Sequence, residues 1–251
     1  MLLTQARTDG RADIHMHSRY SDGLPTPRQI LDFVERKGRL DVIAITDHDV
    51  LEGSLWAYAQ REQYSFDIIP GMEVTACEGH VLALWIERPV PAGMSVKETA
   101  AAIHEQGGIA ILAHPGEPFI ATRHMLRYLR NPQVLLTWDV DAVEVFNAGT
   151  ITPGNNLLAR RIVRDLPLPQ VANSDAHTLT AIGCGQTRFP GRSAAEFRQA
   201  VMTANTQVEG VRWPALDYLK LSPSTIRQKL TGSSGMSLPE TSSIPASLAP
   251  R

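Results

Sequence analysis

Seven short apolar runs, most of them closing on a histidine or an acidic residue, constrain this chain more than any other feature. They are Ala12–Met16, Val42–Thr46, Ile68–Glu73, Val81–Ile86, Ile109–Ala113, Ala142–Phe146 and Gln170–Ala172. Their brevity and β-branched content predict buried strands. Helix signals fill the intervals. Thr26 caps and Pro27 opens a helix that closes at Gly38. Ser95 and Glu98 form a capping box ahead of a stop at Gly107. Asn155–Asp165 and Ser193–Ala204 follow the same logic. This alternation predicts an α/β fold with largely parallel strands. A single α/β barrel of roughly 250 residues is the natural size for it.

Composition narrows the partners. Of 251 residues, 43% are hydrophobic, enough for a substantial core, and the formal net charge is −2 with Lys and Arg scattered. No basic track is present, so stable binding of duplex nucleic acid is not expected. Cys77 and Cys184 are too far apart in sequence for a CxxC pair, which argues against a zinc knuckle or a disulfide framework. The opening MLLTQARTDGR lacks a continuous apolar stretch, and no run approaches the roughly 20 residues of a membrane span. The expectation is a cytoplasmic protein with no membrane partner. One catalytic domain over 12–230, ending in a helix around Ala215–Leu230, would be followed by a disordered Ser/Pro-rich tail over 231–251.

Chemistry-bearing residues gather at the run ends. His15 and His17 close the first run, His48 follows the second, Glu73 ends the third and His114 follows the fifth. Asp175 and His177 follow the seventh. In a parallel barrel all strand C-termini open on one face, so residues a hundred positions apart converge there. Members of His-x-His and Asp-x-His pairs point to the same side of a strand. His80 precedes its run, and a hairpin turning through Cys77, Glu78 and Gly79 would bring it to the same mouth. Imidazoles and carboxylates without thiolates suit Zn, Mn or Fe. His104 and His124 fall in helical segments and read as ordinary polar residues, and Cys77 reads as a small turn residue.

The segments His15-Met16-His17-Ser18-Arg19-Tyr20-Ser21-Asp22-Gly23, Thr46-Asp47-His48-Asp49, Gly71-Met72-Glu73-Val74, His80, Ala113-His114-Pro115, Glu144-Val145-Phe146-Asn147 and Ser174-Asp175-Ala176-His177 resemble the PHP (polymerase and histidinol phosphatase) superfamily. The likeness runs over about residues 12–185, in family order. It implies a distorted seven-stranded, TIM-like β/α barrel whose two or three divalent ions (Mn, Zn or Fe) hydrolyse phosphoesters with a metal-activated water. By the same resemblance, His15, His17, Glu73 and Asp175 hold one ion, and Glu73, His80 and His114 a second, with Glu73 bridging. Asp22, His48 and His177 hold a third, Asp22 standing where many relatives have histidine. The resemblance thus implies Glu73, Asp175 and His177 as catalytic residues. Asp47 and Asp49 are candidates to orient ligand histidines. Arg19, Arg123 and Asn147 are candidates for contact with a small phosphorylated substrate.

Larger relatives carry a helical insertion between the positions matching His80 and His114. This chain resembles a short form without it, so small phosphomonoesters such as nucleotides are the expected substrates. Three alternatives compete. An amidohydrolase barrel would need a carboxylated lysine at a strand end, but Lys37, Lys97, Lys220 and Lys229 all fall in helical segments. A PHP-like barrel could cleave a carbamate or carboxylic ester instead. A non-catalytic metal-binding module is the third.

Overall fold

In the computed structural model, which describes residues 9–117 and 129–220, the strands form two five-stranded sheets. The first has the order β10-β9-β1-β2-β3, built from Gln207–Gly210, Gly185–Pro190, Asp9–Asp13, Val42–Ile43 and Asp67–Ile68. The second runs β4-β5-β6-β7-β8, from Gly71–Ala76, Gly79–Leu84, Ile109–Leu112, Ala142–Asn147 and Gln170–Asn173. Strands β1, β2 and β3 are parallel, as are β6, β7 and β8. β5 is antiparallel to both β4 and β6, and β9 to both β1 and β10. The expectation of largely parallel strands is therefore corrected to a mixed fold. The predicted hairpin through Cys77 and Glu78 is the reason for one reversal; β9 and β10, which no apolar run signalled, supply the other.

The two sheets meet at two isolated parallel bridges, Met16 to Ala176 and His48 to Glu73. Among the described residues no continuous closed barrel forms, because the ladders of β1 and β2 stop at Asp13 and Ile43, short of the histidines. Inward-facing residues of both sheets, including Ile14, Val42, Leu82, Ile111 and Phe189, share one core. Helices α1 (Pro27–Lys37) and α3 (Val96–His104) pack their apolar faces on the sheets, α5 (Ala194–Met202) adds Phe197 and Val201 to the shared core, and α2 (Glu52–Ala59), α4 (Asn155–Val163) and α6 (Ala215–Lys220) are further helices among the described residues.

Local chemistry sets the helix ends. Thr26 and Gln29, Ser95 and Glu98, and Ser193 and Glu196 form reciprocal capping boxes, and Gly38 closes α1 in the left-handed conformation at φ 56°. α2 was not anticipated. It matters for the site, since its Ser54 hydroxyl accepts the Gly71 N–H at the start of the strand carrying Glu73. A side chain at Gly71 would meet the Ala83 carbonyl oxygen at 2.6 Å, so only glycine lets β4 and β5 approach there. The predicted C-terminal helix is present over Ala215–Lys220; its remainder and the predicted tail lie outside the described residues.

Candidate metal centre

Glu73 sits at the meeting point of the two sheets, fully buried. Its Oε1 lies 2.8 Å from His80 Nδ1 and 3.0 Å from His114 Nε2. Its Oε2 lies 3.2 Å from His15 Nε2, 3.3 Å from His17 Nε2 and 3.1 Å from His48 Nδ1. Five imidazoles thus surround one carboxylate. Asp175 Oδ1 joins them, 3.0 Å from His17 Nε2 and 3.6 Å from His15 Nε2. Beside this group, His17, Asp22, His48 and His177 bring one ligand atom each within 4.8 Å of one another, with His177 Nε2 2.9 Å from Asp22 Oδ2.

The loop bearing Asp22 is fixed by Asp47. Its carboxylate accepts the Ser18 N–H, the Ser18 hydroxyl and the Ser21 hydroxyl, each at 2.7 Å. Gly23 permits the return, since a Cβ there would fall 2.2 Å from the His17 carbonyl oxygen. Asp47 was expected to orient a histidine; it orients this loop instead. Asp49 accepts the Thr75 N–H at 2.7 Å and so pins the β4–β5 hairpin close to its turn. His114 (φ 27°) and Asp175 (φ 50°) both adopt left-handed backbone. Non-glycine residues pay about 1–3 kcal/mol for such conformations, which persist chiefly at functional positions.

Glu144 is the residue that sequence reasoning left without a role. Its Oε1 receives His15 Nδ1 at 2.9 Å and Asn173 Nδ2 at 2.8 Å, and its Oε2 receives the His114 N–H and Asn147 Nδ2. It therefore turns the Nε2 of His15 toward Glu73 and Asp175. A lone acid between Val143 and Val145 on a buried strand was the available signal. Asn147 was expected at the substrate, but its amide donates to both Glu144 and Asp175 and its Oδ1 accepts the Gly149 N–H. Its hydrogen-bonding groups are taken up inside the cluster. Arg19 is exposed beside His17 and Ser18, and Arg123 lies outside the described residues. His104 bonds Asp141 at 2.8 Å, away from the cluster; His124 lies outside the described residues. Cys77 is exposed and directs its thiol to the Gly93 carbonyl.

The electrostatics are strongly coupled. Burial works to raise Asp22, yet His177, His48 and His17 hold its carboxyl well below the usual range. Burial likewise opposes ionisation of Glu73, and His48, His15 and His80 overcome it. His15 would be depressed by burial, but Glu73, Glu144 and Asp175 raise it well above an ordinary imidazole. Asp13, behind the cluster, is pushed up to about 6 by burial, despite accepting the Ser174 and Gly183 N–H groups.

Whether this set fits divalent ions can be read from its unsatisfied atoms. His15 Nε2, both ring nitrogens of His17 and Glu73 Oε2 are buried and have no hydrogen-bond partner. Buried polar atoms are normally paired, and four orphans at one point need an explanation. Lone pairs converging from imidazoles and carboxylates fit a borderline or hard cation.

Comparison with known proteins agrees with this chemistry. A family profile described as PHP domain matches residues 13–129, and one described as PHP-associated matches residues 153–206. An uncharacterized protein of Methanocaldococcus jannaschii is 31% identical over 172 residues, covering 62% of this chain and 94% of that protein. A 3′,5′-nucleoside bisphosphate phosphatase of Chromobacterium violaceum is 33% identical over 84 residues, 32% of this chain and 29% of that protein. Among solved structures, a two-domain protein from Bacteroides vulgatus containing a predicted PHP-like metal-dependent phosphoesterase is similar with a TM-score of 0.65. It is 22% identical, over 81% of this chain and 65% of that one, and it bears on the fold alone.

Proposed function

The chain belongs to the PHP domain family, and on that premise we propose that it is a metal-dependent phosphoesterase acting on small phosphomonoesters, nucleotides among them. The observation that carries the reading is the single buried carboxylate of Glu73 within 3.3 Å of five imidazoles, with its Oε2 and three imidazole nitrogens left unpaired. His15, His17, Glu73 and Asp175 would hold one ion, and Glu73, His80 and His114 a second. Asp22, His48 and His177 would hold a third, with His17 close enough to share it. When bound, such ions supply an activated water near neutral pH and neutralise charge on the phosphoryl oxygens.

The chain's own residues do the rest. Glu73 spans two ligand sets because its two oxygens face different histidines. Glu144 and Asn147 fix the ring of His15 and the carboxylate of Asp175, and Asp47 fixes the loop of Asp22. Arg19, exposed and two residues beyond His17, would meet a phosphate. The two bridges between the sheets are read as the closures of a distorted seven-stranded ring around this centre.

The substrate class follows from the interval between His80 and His114, which holds β5, α3 and β6 and no further helix. Without an inserted cap there, few groups are left to contact a base or sugar. Phosphate release should occur across p-nitrophenyl phosphate, nucleoside monophosphates and sugar phosphates with Mn or Zn, with weak discrimination among leaving groups. Steady-state kinetics on that panel, run beside an oligonucleotide, an aryl ester and a carbamate, decides it. Efficient cleavage of one of the last three with no turnover of any monoester would overturn the proposal.

Trp213 provides a second test. Its Nε1 donates to the Ser174 carbonyl at 2.7 Å, and its ring centroid lies 5.7 Å from that of His177. It lies beyond both family matches, and no sequence pattern flagged it. Trp213→Phe keeps a ring but removes the donor that fixes the turn carrying Asp175 and His177. Metal affinity should fall by about tenfold, the lower range for an orienting contact to a metal site. Calorimetric titration measures it, with circular dichroism to confirm the fold. Unchanged affinity would remove Trp213 from the supporting shell.

A further inference from the structure

The loop after β8 carries Asp175 and His177, and its backbone is gripped from two sides. On one side the His17 N–H donates to the Ala176 carbonyl at 2.8 Å and the Leu24 N–H to the His177 carbonyl at 2.9 Å. On the other lies the segment 212–220, C-terminal to both family matches. Trp213 Nε1 reaches the Ser174 carbonyl, three residues before His177. The Asp217 carboxylate accepts the Thr180 hydroxyl at 2.7 Å, three residues after it. His177 thus sits midway between two anchors supplied by one segment. That segment also holds the loop after β7, where the Trp213 N–H and the Tyr218 hydroxyl donate to the Ala148 carbonyl and Arg212 donates to the Thr150 carbonyl. Gly149 admits the indole, since a Cβ there would fall 2.6 Å from the Trp213 ring.

Apolar burial is not what docks α6. Leu216 and Leu219 are 67% and 79% exposed, while Asp217 is 1% exposed. A carboxylate is costly to bury unless it is paired and hydrogen-bonded. Burial works to raise Asp217, yet Lys220 and Thr180 hold its carboxyl below the usual range. Lys220 lies 2.7 Å from Oδ1, but it stands on the same helix and is half exposed, so its pair ties α6 mainly to itself. Its ammonium comes only to 3.5 Å from the Thr180 hydroxyl. The Asp217–Thr180 bond is the contact that reaches the loop of His177. That loop needs holding, because Asp175 has left-handed backbone at φ 50°, a conformation that persists where the surroundings over-determine it.

We propose that Asp217 is a positioning residue of the metal centre, fixing through Thr180 the turn after His177 and so holding that imidazole in the Asp22–His48–His177 set. The proposal rests on the metal-centre reading above and adds to it a part of the chain that neither family match covers. Loss of the tether frees the turn over Leu179–Ala181, and with it the direction in which His177 presents Nε2 to Asp22. Trp213 guards the other end of the same loop, nearer Asp175.

The test is calorimetric titration of Mn into the full chain stripped with a chelator, with no substrate present. Wild-type protein is expected to take three equivalents. Thr180→Val removes the hydroxyl donor and leaves the Asp217–Lys220 pair in place. It should weaken one equivalent by about tenfold, the lower range for a contact that orients a ligand, and spare the other two. Asp217→Ala should do the same, whereas Asp217→Asn keeps an oxygen for the Thr180 hydroxyl and should restore most of the affinity. Lys220→Gln should leave the isotherm unchanged. A purely structural role in docking α6 gives a different pattern, with melting temperature lowered in every variant and metal binding intact. The positioning role is overturned by an isotherm that Thr180→Val does not move, or by a loss shared among all equivalents. It is equally overturned if Asp217→Asn or Lys220→Gln proves as damaging as Asp217→Ala, or if wild-type protein takes only two equivalents. Wild-type protein that takes none would refute the metal centre itself, so the two failures are distinct.

Discussion

Glu73→Ala is expected to lower phosphomonoester turnover by about a thousandfold or more, at the upper end of what single electrostatic groups contribute. It should also reduce bound metal by at least one equivalent. The reasoning is geometric. Oε1 serves His80 and His114 while Oε2 faces His15, His17 and His48, so no other residue touches as many of the proposed ligands. Deleting it removes the carboxylate that joins the His15–His17 set to the His80–His114 set.

The fold should survive that substitution. Burying Glu73 as a carboxylate carries a large desolvation cost, offset by the histidines around it, of which His15 and His114 are held above an ordinary imidazole. Without the carboxylate, those histidines lose a main cause of protonation and can remain neutral. The melting temperature of metal-stripped protein should therefore move by only a few degrees. Asp22→Ala, in the set that excludes Glu73, should cost about tenfold in turnover if that set mainly positions substrate. Elemental analysis and steady-state kinetics of the two variants settle the ranking. Glu73→Ala retaining a tenth of the activity with full metal content would refute the bridging role, and equal losses in both variants would refute the ordering.

Much of this centre was legible because its residues obey a rule of position. Ligand candidates at strand ends converge whatever their separation, so His15, His48, Glu73, His114 and Asp175 could be grouped without a structure. His80 required only that the chain turn at Cys77 and Glu78, which it does. What stayed hidden has physical causes. β9 reads Gly-Gln-Thr-Arg-Phe-Pro, with one face buried and Thr187 among its inward residues, so no apolar run marks it. α2 contains Gly53 and shows no apolar stripe, yet that glycine is needed because a Cβ would fall 2.8 Å from Asp47 and 3.0 Å from Tyr20. Glu144, Asn147 and Trp213 act through other residues across more than 25 positions of chain. Spacing carries no trace of contacts like these. The ladders leave the ring open for a related reason. Pattern locates strands, but hydrogen-bond ladders that end at Asp13 and Ile43 depend on where the backbone turns to present its histidines.

The stability of the metal-stripped and metal-loaded protein should diverge as pH rises. In stripped protein, His15 and His114 are held above an ordinary imidazole: burial lowers both, and the carboxylates of Glu73 and Glu144 outweigh it. A raised folded pKa contributes stability fully below the unfolded value of about 6.5, and that contribution is lost as pH climbs through the folded value. Asp22, Glu73 and Glu144 are shifted the other way, since their imidazole partners outweigh burial. Their contribution is present above about pH 4.5 and lost as pH falls through the depressed folded values. Stripped protein should thus be most stable between about pH 4.5 and 6.5. Above that window, Glu73 and Glu144 remain buried and charged while their partners lose protons. Divalent ions reverse the alkaline trend, because they need deprotonated imidazoles and supply the missing positive charge. At an ion concentration about a thousandfold above the dissociation constant, binding adds about 4 kcal/mol. For a domain of this size that is roughly 8–16 °C in melting temperature. Scanning calorimetry with chelator or with Mn at pH 5.5, 7 and 8.5 should show a gap of a few degrees at the lowest pH, widening toward that range. A gap that stays constant, or narrows with pH, would mean that protons and metal ions do not compete for these histidines.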